Sequence, residues 1–208
     1  MAKKRPVSNL LALAVLSYLT REPMHPYALS RALRDNDDAR SIKFNQGSLY
    51  MVVQQLAKAG FIIERETTRD SLRPERTVYA LTDAGRDEMR DWMRELVEEP
   101  QHEYGHFVAA LSLIAALPPD VVVELLGRRL LRLVEQRDEI RTIMDTALGH
   151  GLHPLFLVEE DYRLALLDAE FAFVERFIDR ITNPQTGWAP LWAQFHGGTA
   201  TTDERQQT

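Results

Sequence analysis

Apolar side chains recur at helical spacing three times within the first sixty residues, and each recurrence predicts an amphipathic helix. The first helix ends before Pro23, the second has Pro26 in its first turn, and the third opens near Gly47 and ends at Gly60. The predicted inner faces are Leu11, Ala14, Val15 and Leu19 in the first helix, Tyr27, Leu29, Ala32 and Leu33 in the second, and Leu49, Val52, Val53 and Leu56 in the third.

After Gly60 the helical repeat gives way to an alternation of two, which is typical of β-strands. Residues 61–66 and 77–81 form two such runs, and the polar loop 67–75 between them completes a predicted hairpin. Thr82 is a favourable N-cap for a following helix that runs to Pro100. Three helices followed by a two-stranded hairpin is the order of a winged helix-turn-helix domain.

The remaining chain is predicted to be helical at 107–117, 120–148 and 158–182. The sequence therefore predicts a mainly α fold class with a small β-hairpin. Residues 1–99 are expected to form an N-terminal winged helix-turn-helix with a linker helix, and residues 100–183 an antiparallel helical dimerisation domain. Residues 184–208 are expected to form a C-terminal extension, disordered from residue 197 because large apolar residues are missing there.

The last long helix carries two apolar stripes. The first has heptad spacing and is the predicted dimerisation seam, formed by Leu164, Leu167, Phe171, Val174, Ile178 and Ile181. The second comprises Tyr162, Leu166, Ala169, Phe173 and Phe177. At about 100° per residue the stripes are centred about 140° apart, so one face cannot bury both. One stripe is expected to pack within the chain and the other against a second copy, unless the helix is buried in the core of a monomer.

Charge distinguishes the two halves of the chain. The formal net charge is -6, but residues 1–82 are net positive and residues 83–208 are net negative. All four lysines lie within the first 58 residues. This distribution predicts that the N-terminal half faces a polyanion.

The outward side of the third predicted helix is polar, with residue types that read base edges and phosphates in a major groove. The predicted DNA contacts are Lys43, Asn45, Gln46, Ser48, Tyr50, Met51, Gln54 and Lys58 in and before this helix, and Arg69, Arg73 and Arg76 around the tip of the hairpin. The alternative is a solvated helix face and an ordinary charged loop. Lys3, Lys4 and Arg5 form either a flexible arm along the DNA backbone or a merely soluble terminus.

One catalytic pattern competes with this interpretation. His102, Glu103 and His106 spell H-E-x-x-H, which on a helix is a zinc peptidase signature. Pro100 precedes the pattern, Gly105 weakens a helix inside it, and no third histidine follows at the metzincin spacing. An incidental surface pair is the favoured interpretation, so we predict no enzyme, no metal and no cofactor. A zinc-dependent hydrolase is the alternative.

The chain has no cysteine, which excludes disulfides and thiolate metal sites and fits a reducing cytoplasm. The longest apolar run, Phe107–Leu117, has 11 residues, fewer than the roughly 18–20 that span a bilayer. The basic start followed by an apolar run imitates a secretory signal, but a small-residue cleavage site is missing. We therefore expect a cytoplasmic protein without a membrane segment.

Three segments of the chain resemble the PadR family of bacterial transcriptional regulators. They are MHPYALSRALRD, FNQGSLYMVVQQLAKAGFI and RPERTVYALTDAGRDEMRDWM. The resemblance covers nearly residues 8–182, and the rear half is similar to the helical dimerisation region of the longer family members. It departs from the family in the third helix, where Gln46 and Met51 stand at positions that usually hold proline.

The resemblance implies a homodimer that binds an inverted-repeat operator in double-stranded DNA, usually as a repressor, and that a small aromatic or hydrophobic compound often releases. It also implies that Tyr50 contacts DNA, whereas it assigns no residues to an effector. A winged helix that binds another protein instead of nucleic acid is a further alternative.

Overall fold

Most helices form where the apolar spacing predicts them, but the helix predicted at 107–117 ends at Ser112, and the helix at Ala189–Gln194 was not predicted. The computed structural model describes residues 5–36, 40–65 and 77–196, and the chain divides into two units, Met1–Glu103 and Tyr104–Thr208. The first unit contains α1 (Leu10–Tyr18), α2 (Pro26–Asp35), α3 (Gln46–Lys58), β1 (Ile62–Arg65), β2 (Val78–Leu81) and α4 (Asp83–Glu98). The second contains α5 (His106–Ser112), α6 (Pro119–Gly149), α7 (Val158–Thr182) and α8 (Ala189–Gln194), with short 3-10 helices at Ile114–Ala116 and Pro154–Leu157. The predicted fold class, mainly α with a small hairpin, is confirmed.

The first unit is organised around one hydrophobic core shared by α1, α2, α3 and the hairpin. Its largest fully buried side chains are Leu11, Leu16, Leu29, Leu33, Leu49, Leu56 and Ile62. The prediction that Tyr27 lies on the inner face of α2 is wrong, because this side chain is 58% exposed. At about 100° per residue, Tyr27 points away from Leu29 and Leu33, which carry the buried face.

β1 and β2 pair antiparallel, with Ile62 opposite Leu81. The loop between α1 and α2 is joined to β2 by an isolated β-bridge, which the alternation of residues does not reveal. The Met24 N–H donates to the Tyr79 carbonyl, and the Tyr79 N–H donates to the Met24 carbonyl, both at 3.0 Å. The hairpin is therefore tied directly to the chain segment that leads into α2.

Tyr79 also connects the two strands through its side chain. Its phenol donates to Glu64 Oε1 at 3.2 Å. Burial and this neighbouring carboxylate both raise the pKa of Tyr79 above its ordinary value. The phenol therefore stays protonated, and keeps donating, up to a higher pH than an exposed tyrosine would.

Thr82 and Gly85 fix the passage from the hairpin into α4. Thr82 Oγ1 accepts from the Gly85 N–H at 3.1 Å and donates to the Phe61 carbonyl at 2.9 Å. Gly85 passes so close to the segment before β1 that a Cβ atom there would lie 2.0 Å from the Phe61 carbonyl oxygen. This contact leaves no room for a side chain unless the backbone moves.

Gly85→Ala is expected to lower the free energy of unfolding by about 1–3 kcal/mol, because the added methyl group must displace the Phe61 backbone. Gly127→Ala is the matched control. Gly127 lies within α6, where an added Cβ would meet nothing within 4 Å, and alanine there should stabilise the helix by about 0.5–1 kcal/mol. Urea unfolding followed by circular dichroism measures both variants, and equal effects would contradict the close approach at Gly85.

Arg5 is buried against α4, which corrects the expectation that it belongs to a flexible basic arm. Its guanidinium donates to Glu88 Oε1 at 2.6 Å, pairs with Glu95, and lies 3.4 Å from Asp91 Oδ2. It also stands 5.3 Å from the centre of the Trp92 ring. Burial opposes the charge, but the hydrogen bonds to Glu88 and Glu95 outweigh it and raise the pKa of Arg5 above its ordinary value.

α6 and α7 form the long antiparallel helical pair of the second unit. Arg129 donates to Glu170 at 2.5 Å, and the Arg137 guanidinium lies 3.2 Å from Asp168. The later residue of α6 thus contacts the earlier residue of α7, as expected for antiparallel helices. The core of this unit contains Val122, Leu126, Val174, Phe177, Ile181 and Trp192. No helix within the described ranges combines the length and the apolar character that crossing a membrane requires.

The buried face of α7 lies between the two predicted stripes. Val174 and Ile181 of the predicted dimerisation seam are 0% and 1% exposed, and Phe177 of the second stripe is buried beside them. This burial corrects the assignment of Val174 and Ile181 to a partner surface, because side chains enclosed by their own unit have no surface left for a second copy. Of the other seam residues, Leu164, Leu167, Phe171 and Ile178 are half-buried.

Residues 184–196 pack as part of the second unit. Trp192 on α8 is buried, and its indole N–H donates to the Leu117 carbonyl at 3.0 Å. Trp188, at the start of the same helix, meets the Phe177 ring edge-on at 6.2 Å between centroids. The first part of the predicted extension is therefore structural, and the predicted disorder from residue 197 concerns residues outside the described part of the chain.

Candidate nucleic-acid interface

α3 begins at a reciprocal hydrogen-bonded cap. Asn45 Oδ1 accepts from the Ser48 backbone N–H at 2.8 Å, and Ser48 Oγ accepts from the Asn45 N–H at 2.9 Å. Ser48 Oγ also donates to the Asn45 carbonyl at 2.8 Å. Two of the predicted DNA contacts therefore hold the start of the helix. Of their polar side-chain atoms, the Asn45 amide NH₂ takes no part in the cap.

One side of α3 is buried and the opposite side faces solvent. Leu49, Val53 and Leu56 lie in the core. Rotation by about 100° per residue places a line of residues directly opposite them, which we call the outer row: Gly47, Met51, Gln54 and Lys58. Met51 is 61% exposed, and Gln54 and Lys58 are exposed as well. The outer row is thus the part of α3 that a molecule approaching from solvent meets first.

The other predicted contacts surround the outer row or precede it. Tyr50 flanks it on one side, and Lys43 and Gln46 lie before and at the start of the helix; all three are exposed. Gln55, which was not among the predicted contacts, is exposed on the other side of the row. Within 43–58 only Ser48 among the predicted contacts is half-buried. The predicted contacts of the hairpin loop, Arg69, Arg73 and Arg76, lie outside the described residues, as do Lys3 and Lys4.

α2 packs against the buried face of α3 and so holds α3 in place. Leu29 and Leu33 share the hydrophobic cluster with Leu49, and the two helices are neighbours in the chain, as in a helix-turn-helix. The start of α2 is capped by His25, whose Nδ1 accepts from the Tyr27 N–H at 3.0 Å. The exposed Tyr27 ring is a candidate contact that the sequence interpretation missed, although its rotation away from Leu29 could have indicated it.

His102 and His106 lack the helical spacing that the zinc pattern needs. Residues 101–105 are not helical, and α5 begins at His106. An H-E-x-x-H site brings its two imidazoles together because one helical turn separates them. Among the described residues no group of three His, Asp or Glu side chains is placed to hold a metal ion. The structure therefore gives the zinc hydrolase alternative no support.

A model of a known protein family matches the part of the chain that contains α3. The model of the transcriptional regulator PadR-like family matches residues 15–91. That range includes α2, α3, the hairpin and the outer row. No curated protein matches the chain.

Solved structures show the same fold over most of the chain. PadR from Bacillus subtilis in complex with operator DNA matches 80% of this chain and 99% of its own, at 19% identity and a TM-score of 0.57. The same protein in complex with p-coumaric acid matches with the same values. A PadR-like transcriptional regulator from Bacillus cereus matches 85% of this chain and 98% of its own, at 14% identity and a TM-score of 0.53.

Proposed function

Because residues 15–91 form a domain of the PadR-like transcriptional regulator family, we propose that this chain is a sequence-specific, DNA-binding transcriptional regulator. It acts in the cytoplasm as a homodimer that binds an inverted-repeat operator. It represses transcription and has no catalytic activity. The observation that carries this proposal is the outer row of α3, where exposed hydrogen-bonding and apolar side chains lie opposite a fully buried face.

The chemistry of the α3 surface suits a major groove. A recognition helix reads base edges through amide and apolar side chains and contacts phosphates through cationic groups near its ends. Gln54 and Tyr50 occupy the middle of α3, and Lys43 and Lys58 bracket it. In this arrangement Gln54 reads a base, and the two lysines hold the helix in register on the DNA backbone.

Homodimer formation is supported by apolar side chains on α7 that the second unit leaves uncovered. Tyr162 and Leu166 of the second stripe are 64% and 52% exposed. Two copies paired through the C-terminal units would present two α3 helices to one duplex. A separation near one helical turn of DNA, about 34 Å, would match an inverted repeat.

We further propose that a small-molecule effector releases the protein from its operator. The Bacillus subtilis relative has been solved both with operator DNA and with p-coumaric acid. For this chain we propose a small aromatic or hydrophobic compound that binds the dimer and shifts the two copies of α3 out of register. Only a compound that binds the two arrangements with different affinity could act in this way.

Gln54→Ala and Tyr50→Ala are each expected to weaken binding to the operator by roughly 5- to 150-fold, because a specific contact worth about 1–3 kcal/mol is lost. Fluorescence anisotropy with the DNA upstream of the protein's own coding sequence measures the Kd at fixed salt. Gln136→Ala is the matched control, since Gln136 is an exposed glutamine on α6, and it should leave the Kd unchanged. Unchanged binding in both α3 variants would contradict the assignment of α3 as the reading helix.

Lys58→Ala separates phosphate contacts from base reading in the same assay. It should weaken binding to all duplexes alike and reduce the slope of log K against log salt by about one. Failure of the unaltered protein to bind any duplex at low salt would instead favour a winged helix that binds protein.

A further inference from the structure

Gly47 occupies a position where nothing in its described surroundings requires glycine. It lies in the first turn of α3, and the described glycines with positive φ are Gly60 and Gly151. A Cβ atom at Gly47 would meet Asn45 Oδ1 at 3.4 Å, an ordinary contact. Glycine in a helix costs about 0.5–1 kcal/mol relative to alanine. The free subunit therefore accepts a methyl group here, and the absence of one points to a close neighbour that arrives from outside.

The residues of the outer row form one line along α3, and their places in this line indicate which of them can meet the bases. Gly47, Met51, Gln54 and Lys58 are spaced by four, three and four residues, so they follow one line along the helix. At a rise of about 1.5 Å per residue the line is about 16 Å long, the span of four to five base pairs. The residues that meet the bases are thus Met51 and Gln54 in its middle, while Lys58 in the last turn is left for a phosphate.

The middle of the outer row contains the side chains that match an A·T pair. A glutamine amide donates to adenine N7 and accepts from adenine N6–H, and an apolar side chain contacts the thymine C5-methyl group. Guanine is most commonly read by arginine or lysine. α3 contains no arginine, and its one lysine, Lys58, is the last residue of the helix. Met51 and Gln54 are three residues apart and neighbours on the helix surface, so they reach adjacent base pairs.

We propose that α3 reads an A·T-rich step in each operator half-site. Gln54 binds adenine, Met51 contacts the methyl group of a neighbouring thymine, and Gly47 allows the helix backbone to touch the DNA. This inference rests on the proposed function and specifies which base pairs the same surface recognises.

Chemical substitution of single DNA atoms tests the two base contacts. High-affinity duplexes are first selected from a random pool with the full-length protein. Each thymine of the half-site is then replaced in turn by uracil, which lacks the methyl group, and each adenine by 7-deazaadenine, which lacks N7. One uracil position should weaken wild-type binding by roughly fourfold, the effect of one buried methyl group, and one 7-deazaadenine position by roughly tenfold.

Two protein variants, each tested against the same altered duplexes, show which side chain contacts which DNA atom. Met51→Ala should lose its sensitivity to the uracil position and keep its sensitivity to 7-deazaadenine, and Gln54→Ala should show the reverse. Such crossed loss identifies a direct pair, since a variant that merely perturbs the fold would keep both sensitivities. If both variants respond to the altered duplexes as the wild type does, or if the selected half-sites have only G·C pairs at their sensitive positions, the inference is wrong.

Gly47→Ala tests the backbone contact. The variant should unfold at the same temperature as the wild type or a higher one, and yet bind the selected duplex at least about tenfold more weakly. Gly127→Ala is the control for a helix-stabilising methyl group away from DNA, and it should leave affinity unchanged. Full affinity in Gly47→Ala would overturn the role given to Gly47.

The outcomes also distinguish this inference from the function on which it depends. If no duplex is enriched and none is bound at low salt, the proposed function itself fails. If a duplex is bound tightly and specifically but neither base substitution couples to Met51 or Gln54, the chain remains a DNA-binding regulator and only the A·T assignment fails.

Discussion

Arg5→Ala is expected to lower the free energy of unfolding of the N-terminal unit by about 3–5 kcal/mol. Arg5 is 9% exposed and stands against Glu88, which is 8% exposed, and against Glu95 and Asp91. Removing the guanidinium takes away a buried positive charge that lies against these carboxylates, one of which is also buried. It also takes away the cation that lies over the Trp92 ring. Urea unfolding followed by tryptophan fluorescence measures the loss.

Arg31→Ala is the matched control for Arg5→Ala. Arg31 pairs with Asp35 at 3.2 Å on the surface of α2, where both side chains are mostly exposed. An exposed pair of this kind contributes roughly 0.2–1 kcal/mol. A second variant, Arg5→Met with Glu88→Leu, should be more stable than Arg5→Ala, because it removes both buried charges together. If Arg5→Ala and Arg31→Ala lose the same small amount, the buried ion cluster does not anchor the N-terminal segment.

Leu166→Glu is expected to convert the proposed dimer to a monomer and to weaken binding to the proposed inverted repeat by roughly 10²- to 10⁴-fold. A monomer loses the effective concentration that pairing gives to the second half-site. Leu166 is half exposed and Tyr162, one turn earlier on the same stripe, is exposed still more, so a carboxylate there would have to be desolvated in a dimer and not in a monomer. Sedimentation velocity gives the oligomeric state, and anisotropy gives the affinity.

Gln136→Glu is the control for the added charge. Gln136 is an exposed polar residue on α6, and a carboxylate there should leave both the dimer and the affinity unchanged. Leu166→Glu should also keep its binding to a single half-site, because α3 is not altered. A Leu166→Glu protein that remains a dimer would exclude this stripe of α7 from the interface.

The local elements were largely predictable because their causes are local. The spacing of Leu49, Val53 and Leu56 places one face of α3 inward, so the same spacing fixes the outward side of Met51 and Gln54. Thr82 was expected to cap α4, and its Oγ1 accepts from the Gly85 N–H. The two strands follow from alternation, and their pairing follows from being consecutive along the chain. Except for the strand pairing, which joins neighbouring strands across one loop, each of these features depends on residues within a few positions of one another.

Side-chain contacts were harder to predict where a residue has more than one possible neighbour. Asn45 and Ser48 have side chains that suit DNA and stay predicted contacts, and the structure adds that they also bind each other in the cap of α3. Two apolar stripes on α7 showed that one face could not bury both, yet the buried face combines Val174 and Ile181 from one stripe with Phe177 from the other. Spacing alone could not place this boundary, because it depends on the shape that α6 presents to α7.

The sequence by itself determined the order of helices and strands, the polar outward face of α3 and the positive charge of the N-terminal half, since these depend on periodicity and composition. Only the tertiary structure decided that Arg5 lies in a cluster with Glu88, 83 residues away, that Met24 joins the hairpin, and that Trp192 closes the second core. Contacts between distant residues depend on which surfaces the folded helices bring together, and no repeat along the chain records that choice.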